Sequence, residues 1–258
     1  MRPGDMFLAI ILIFFGIMIN NPDILSMESL IKGGIVLVIF LIVAIFFIRD
    51  HLPMMKLRKA EAEYAEDDDE EKLLEAISEF KATNKLLSDN YKAHLMEAQL
   101  HMYKAEFTNA LDDLLYCDKR DMDDSAKLHL LVLRARILTF MGMISSHRDI
   151  FTQIKESRGT MSSSDRFAMT LCRGYLNIQD EKYNEAEKKV TKLQAMLAEF
   201  IIKPLQFQNE IRWLESLLEI ARNRDQLTYE RQLNLLTGMK CKPYLIQNFT
   251  KTKETMMS

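Results

Sequence analysis

Helix-breaking residues are scarce in this chain of 258 residues, which holds 8 glycines and 5 prolines. Cysteine is scarcer: Cys117, Cys172 and Cys241 are far apart and odd in number, so they supply neither a disulfide framework nor a CxxC metal motif. Reduced thiols in a cytosolic domain suit them better. An excess of basic residues is also missing. The net charge of −3 excludes the electrostatic footprint of a nucleic-acid binder. No GxSxG elbow, P-loop or dinucleotide glycine fingerprint occurs. The histidines are His51, His94, His101, His129 and His147, and only His94 and His101 share an expected helix face, two turns apart. Metal ligands on one helix are better placed three or four residues apart, as in HExxH. The sequence therefore points to no catalytic residue, no metal site and no cofactor, and to a protein that is not an enzyme.

Long apolar runs are confined to the first 48 residues, Met6 to Ile19 and Gly33 to Ile48. A bilayer core of roughly 30 Å asks for about 20 apolar residues in helical form. Both runs are short, but the stems of Arg2 and Lys32 extend them by snorkelling to the interface. Asn20-Asn21-Pro22-Asp23 separates them, so the expectation is a transmembrane hairpin over 1–50. A cleaved signal peptide is the competing reading of the first run, although no small-x-small cleavage site follows it. The loop from Asn20 to Leu30 has no basic residue, whereas Arg49, Lys56, Arg58 and Lys59 follow the second run. By the positive-inside rule both termini face the cytosol of an integral membrane protein in a plasma or inner membrane, with the bilayer as one partner.

The remainder is rich in Leu, Ala, Glu, Lys and Met, and apolar residues recur at three- and four-residue spacing, as in Leu128, Leu131, Val132, Ala135 and Leu138. Without period-two alternation, the fold class is all-α. Expected starts are Ser88-Asp89-Asn90, Asp124-Ser125, and two capping-box sequences, Ser146 to Asp149 and Ser162 to Asp165. Gly142, Gly159 and Gly238 suit helix ends, and Pro204 a first turn. The acidic run Asp67 to Glu71 reads as a solvated helix start, since it lacks the glycine and distal glutamate of a calcium loop. This gives a juxtamembrane helix over 51–66, repeats over 67–238 and a tail over 239–258, which packs briefly around Tyr244-Leu245-Ile246 and then frays.

Small residues recur in register. Ala76 and Ala110 stand 34 positions apart, each followed four residues later by a large apolar residue. Ala98, Phe107, Ala110 and Leu114 form one unit, and Gly174, Tyr183, Ala186 and Val190 another. This pattern resembles the tetratricopeptide repeat. Between these units Ala135 keeps the small position while His147 replaces the alanine, and the family's tryptophan and closing proline are absent throughout. The resemblance covers about half the chain. It implies an α-solenoid of antiparallel helix pairs, stacked because one hairpin cannot bury its apolar face alone.

The family's concave face is lined by the first helix of each pair. Carried across, the lining is Lys92, Leu95, Gln99, Met102 and Tyr103, then His129, Val132, Arg136, Thr139 and Phe140, then Ala168, Leu171, Tyr175 and Ile178. The competing reading is that several of these are interior. An apolar groove with methionine and aromatic residues suits a protein or peptide partner, in particular an amphipathic helix. The expected function is a membrane-anchored adaptor or scaffold holding a protein partner at the cytosolic face. An anchor followed by such repeats looks like bacterial inner-membrane assembly factors. The alternative is a regulatory or assembly subunit acting through its transmembrane hairpin.

Overall fold

A computed structural model describes Leu52 and residues 54–61, 63–64, 70–83, 90–118, 122–200, 204–239 and 241–257. The chain divides into two compact units, Met1–Met54 and Met55–Ser258. The second is all-α. Its helices are α1 (Glu70–Thr83), α2 (Asn90–Tyr103), α3 (Phe107–Asp118), α4 (Asp124–Met141), α5 (Ile144–Glu156), α6 (Ser163–Gln179), α7 (Tyr183–Ala198), α8 (Leu205–Asn223), α9 (Gln226–Gly238) and α10 (Pro243–Met257). Residues 54–61 ahead of them are also helical.

The placement in a membrane needs correction. Among the described residues no helix is long and apolar enough to cross a membrane. The two apolar runs behind the transmembrane hairpin lie outside the described residues. Ahead of α1, Leu57, Ala60 and Tyr64 are buried, and Lys242 bonds the Tyr64 carbonyl at 3.2 Å.

Four helix pairs follow one another, α2 with α3, α4 with α5, α6 with α7 and α8 with α9, and the first helices of adjacent pairs also pack together. Each pair turns through a left-handed residue, Ala105, Gly142, Glu181 or Arg224. The loops after α2 and α6 share one bonding pattern. Lys104, Ala105 and Glu106 donate to the carbonyls of Leu100, Met102 and His101, as Asp180, Glu181 and Lys182 do to those of Leu176, Ile178 and Asn177. The small positions bring helices together: Ala98, Ala110, Ala135 and Ala186 are fully buried. A Cβ on Gly174 would meet Leu214 Cδ2 at 2.6 Å.

Helix ends follow the sequence unevenly. Asp123 caps α4 by accepting from Ala126 N, and Ser162 with Asp165 forms the full capping box of α6. Glu70 and Glu71 stand in the first turn of α1, as the dipole favours. Gly142 ends α4 at φ 73°. The Ser146 to Asp149 sequence instead lies inside α5, which starts after Met143 without a side-chain cap. Gly159 is no left-handed cap; a Cβ there would strike the Asp124 carbonyl at 2.2 Å. Gly238 is the last residue of α9, and Met239 follows as its cap. The Ser88 and Asp67 to Asp69 expectations fall outside the described residues.

The tail departs most from expectation. Residues 243–257 form α10, with Tyr244, Leu245 and Phe249 fully buried and Asn248 and Thr252 nearly so. Their spacing of one, four, five and eight residues puts all five on one helical stripe.

Candidate functional site

Most of the expected partner-binding residues are buried by the chain itself, Val132 and Ala168 in an apolar cluster with Ile150 and Ile154 of α5. Leu95, Met102 and Tyr103 on α2, Val132, Arg136, Thr139 and Phe140 on α4, and Ala168, Leu171, Tyr175 and Ile178 on α6 are all buried. Lys92, Gln99 and His129 keep partial exposure. An open apolar groove is therefore not what these residues line. α10 packs against α2, α4, α8 and α9, and α8 packs against α6, so the first-helix face becomes interior.

At its centre is a buried ion pair. The Arg136 guanidinium donates to the Glu210 carboxylate of α8, and both side chains are enclosed. Tyr244 on α10 donates its hydroxyl to the same carboxylate oxygen. Gln206 donates its amide to that oxygen at 3.3 Å and to the Tyr244 hydroxyl. Gln99 donates to the Tyr103 hydroxyl at 2.6 Å, and Arg136 lies over the Tyr103 ring, 5.8 Å from its centroid. Rings continue the layer: Tyr244 meets Phe140 edge-on at 4.4 Å, Phe140 tilts against Trp213 at 5.0 Å, and Trp213 stacks on Tyr175 at 5.7 Å.

Charge balance explains why these groups gather. Burial works against the Arg136 charge, but the Glu210 carboxylate outweighs it and holds the guanidinium well above its ordinary range. Burial raises the Tyr244 phenol well above its usual value, and the Glu210 charge adds to the rise. Tyr244 thus stays a neutral donor. Buried ion pairs add little net stability over apolar packing but penalise any arrangement that leaves one charge alone. The network accordingly fixes the register of α8 and α10 on α4.

α10 also ends α4. The last carbonyls of a helix lack intrahelical partners. Asn248 donates its amide to the Thr139 and Phe140 carbonyls at 3.2 and 2.9 Å, and Lys251 reaches the Met141 carbonyl at 2.8 Å. A cation there also suits the helix dipole. On the same layer, His129 pairs through Nδ1 with Asp165 Oδ1 at 2.6 Å.

A second cluster lies between α2 and α3, where His94, Glu97 and Asp113 bring potential metal-ligating atoms within 4.8 Å of one another. A shallow cavity of about 380 Å³ opens elsewhere, on α6 and α7, beside Arg166, Arg173, Lys192, Met196 and Phe200. It contains none of the expected residues.

Sequence reasoning missed Gln206, Glu210, Tyr244 and Asn248. Only the stripe through Tyr244, Asn248 and Thr252 was available as a signal; no local pattern ties Glu210 to Arg136.

The fold and this site define an all-α protein of successive helix pairs whose first-helix face is covered by its own last helix. No protein family, curated protein or solved structure matches the chain. The tetratricopeptide resemblance rests on repeat spacing alone.

Proposed function

We propose that this protein is a non-catalytic helical-repeat scaffold of tetratricopeptide-like construction, which grips an amphipathic helix of a protein partner along its first-helix face. α10 is the resident occupant, and the partner helix takes its place. The observation that carries this reading is the seating of α10: a 15-residue helix inserts Tyr244, Leu245 and Phe249 and bonds through Asn248 to the end of α4. Of the lining expected for a family groove, Tyr103 and Phe140 pack their rings on Tyr244, and Arg136 joins its ion-pair network. A partner helix that competes offers a hydroxyl or other donor to Glu210, an amide to the Phe140 carbonyl, and aromatic or branched residues between them. Its apparent affinity is lowered by the small fraction of molecules in which α10 has left.

A labelled peptide comprising residues 241–258 tests this in the full-length protein. The wild type is expected to take up little peptide, whereas the Tyr244→Ala/Asn248→Ala double variant, still helical, takes it up saturably at one equivalent. Absence of binding to a folded double variant would remove the proposal.

A further inference from the structure

The α2–α3 pair gathers two histidines and two carboxylates away from the ion-pair network. His94, Glu97 and His101 stand one turn apart in succession on α2, so they share a face. Asp113 comes from α3, which packs against it. His94 Nδ1 lies 3.1 Å from Glu97 Oε2 and 3.5 Å from Asp113 Oδ1. His101 Nδ1 lies 3.1 Å from Asp113 Oδ2. Tyr116 packs on the His94 ring with centroids 4.0 Å apart, and Lys81 holds Glu97 at 2.6 Å.

The separations would suit hydrogen bonds, but the directions do not. His94 Nδ1, His101 Nδ1 and Asp113 Oδ2 are enclosed atoms with no hydrogen-bond partner among the described residues. Nitrogen and oxygen close together yet off the bonding axis are what the edge of a coordination shell requires. Donors at zinc distances in a tetrahedral shell are separated by about 3.3 Å, which lies between the two His94 contacts.

Charge and donor type narrow the ligand. At this cluster two carboxylates, Glu97 and Asp113, face one ammonium, Lys81. A divalent ion brings positive charge to both carboxylates and accepts the imidazole nitrogen as a ligand. Calcium takes roughly six to eight oxygen donors, and magnesium prefers an octahedral shell rich in water and carboxylate. Imidazole nitrogen with two carboxylates suits zinc and its neighbours in the first transition row.

We propose that His94, Glu97 and Asp113 form a binding site for a divalent transition-metal ion, zinc by its donor chemistry, which clamps α2 to α3. His101 Nδ1, 3.1 Å from Asp113 Oδ2, stands outside the coordination shell and positions that carboxylate. The fourth position is left to water, as in sites with three protein ligands.

The test uses the full-length protein, stripped with chelator and titrated with Co²⁺ and then Zn²⁺. One equivalent of Co²⁺ is expected to give visible d–d absorption without a thiolate charge-transfer band, and Zn²⁺ to abolish it. His94→Ala and Glu97→Gln each weaken binding by more than about 100-fold, and His101→Ala by about 10- to 100-fold, with helix content unchanged by circular dichroism. The two ligand variants guard against misfolding of either one. A protein that stays colourless, a thiolate band marking cysteine ligation, or undiminished affinity in folded His94→Ala or Glu97→Gln would each overturn the assignment.

Discussion

The side-chain amide of Asn248 donates to the main-chain carbonyl of Phe140 at 2.9 Å, across 108 positions of sequence. Through that bond, and the neighbouring one to Thr139, the last helix caps the C-terminal end of α4. Covering the first-helix face and capping one of its helices are thus the same event.

The Arg136–Glu210 pair should behave as a matched unit. Arg136→Met alone leaves the Glu210 charge buried and is expected to cost about 3–5 kcal/mol, whereas Arg136→Met with Glu210→Leu recovers most of that loss. Urea denaturation of the four proteins of the cycle measures it. Additive losses would show that the two charges are not coupled.

Stability should fall with rising pH at the His129–Asp165 pair. Burial alone would lower the His129 pKa, but the bond and charge of Asp165 raise it above 6.5. Burial alone would raise the Asp165 pKa, and the His129 bond brings it below 3.8. The histidine's contribution is complete below pH 6.5 and disappears as pH rises through its folded value. That of Asp165 is present above pH 3.8 and disappears as pH falls through its folded value. His129 is 41% exposed, so solvent screens the effect. Thermal melts from pH 5 to 9 should show a declining Tm in the wild type and a flatter profile in His129→Ala.

Much of the fold was legible because local rules set it. Few glycines and prolines, leucine-rich stripes, the Ser162–Asp165 box and Gly142 all act within one turn of where they stand, whereas Asp123 caps α4 and the expected Asp124-Ser125 lie inside it. The Ser146 to Asp149 sequence misled because a capping hydroxyl must precede its helix, and α5 has already begun at Ile144. The site was half legible. The tetratricopeptide resemblance implied one face for Tyr103, Arg136, Phe140 and Tyr175 but could not show that the last helix would bury it. His94 and His101 share a face two turns apart, a spacing too wide for ligands on one helix, and Asp113 reaches both from the next helix.

That contrast between the two capping sequences predicts a difference. Ser162→Ala should cost about 1 kcal/mol, because the α6 N-terminus loses its acceptor. Ser146→Ala, inside α5, should change stability by less than about 0.5 kcal/mol. Chemical denaturation compares them; equal losses would contradict a start of α5 at Ile144.

Gly174 carries the close approach of α6 to α8. Gly174→Ala places a methyl group against Leu214 Cδ2 and is expected to destabilise by about 1–3 kcal/mol, despite alanine's better helix propensity. A stabilised Gly174→Ala protein would show that the two helices are not held this tightly.

Most depends on α10 being an occupant of the first-helix face that can leave without unfolding the repeats. Hydrogen–deuterium exchange of the full-length protein measures this most directly. Amides of residues 243–257 are expected to exchange through a local opening, well before those of α4 and α6, and to speed up selectively in Asn248→Ala. Exchange of α10 only together with α4 and α6, at the rate of global unfolding, would contradict a separable last helix.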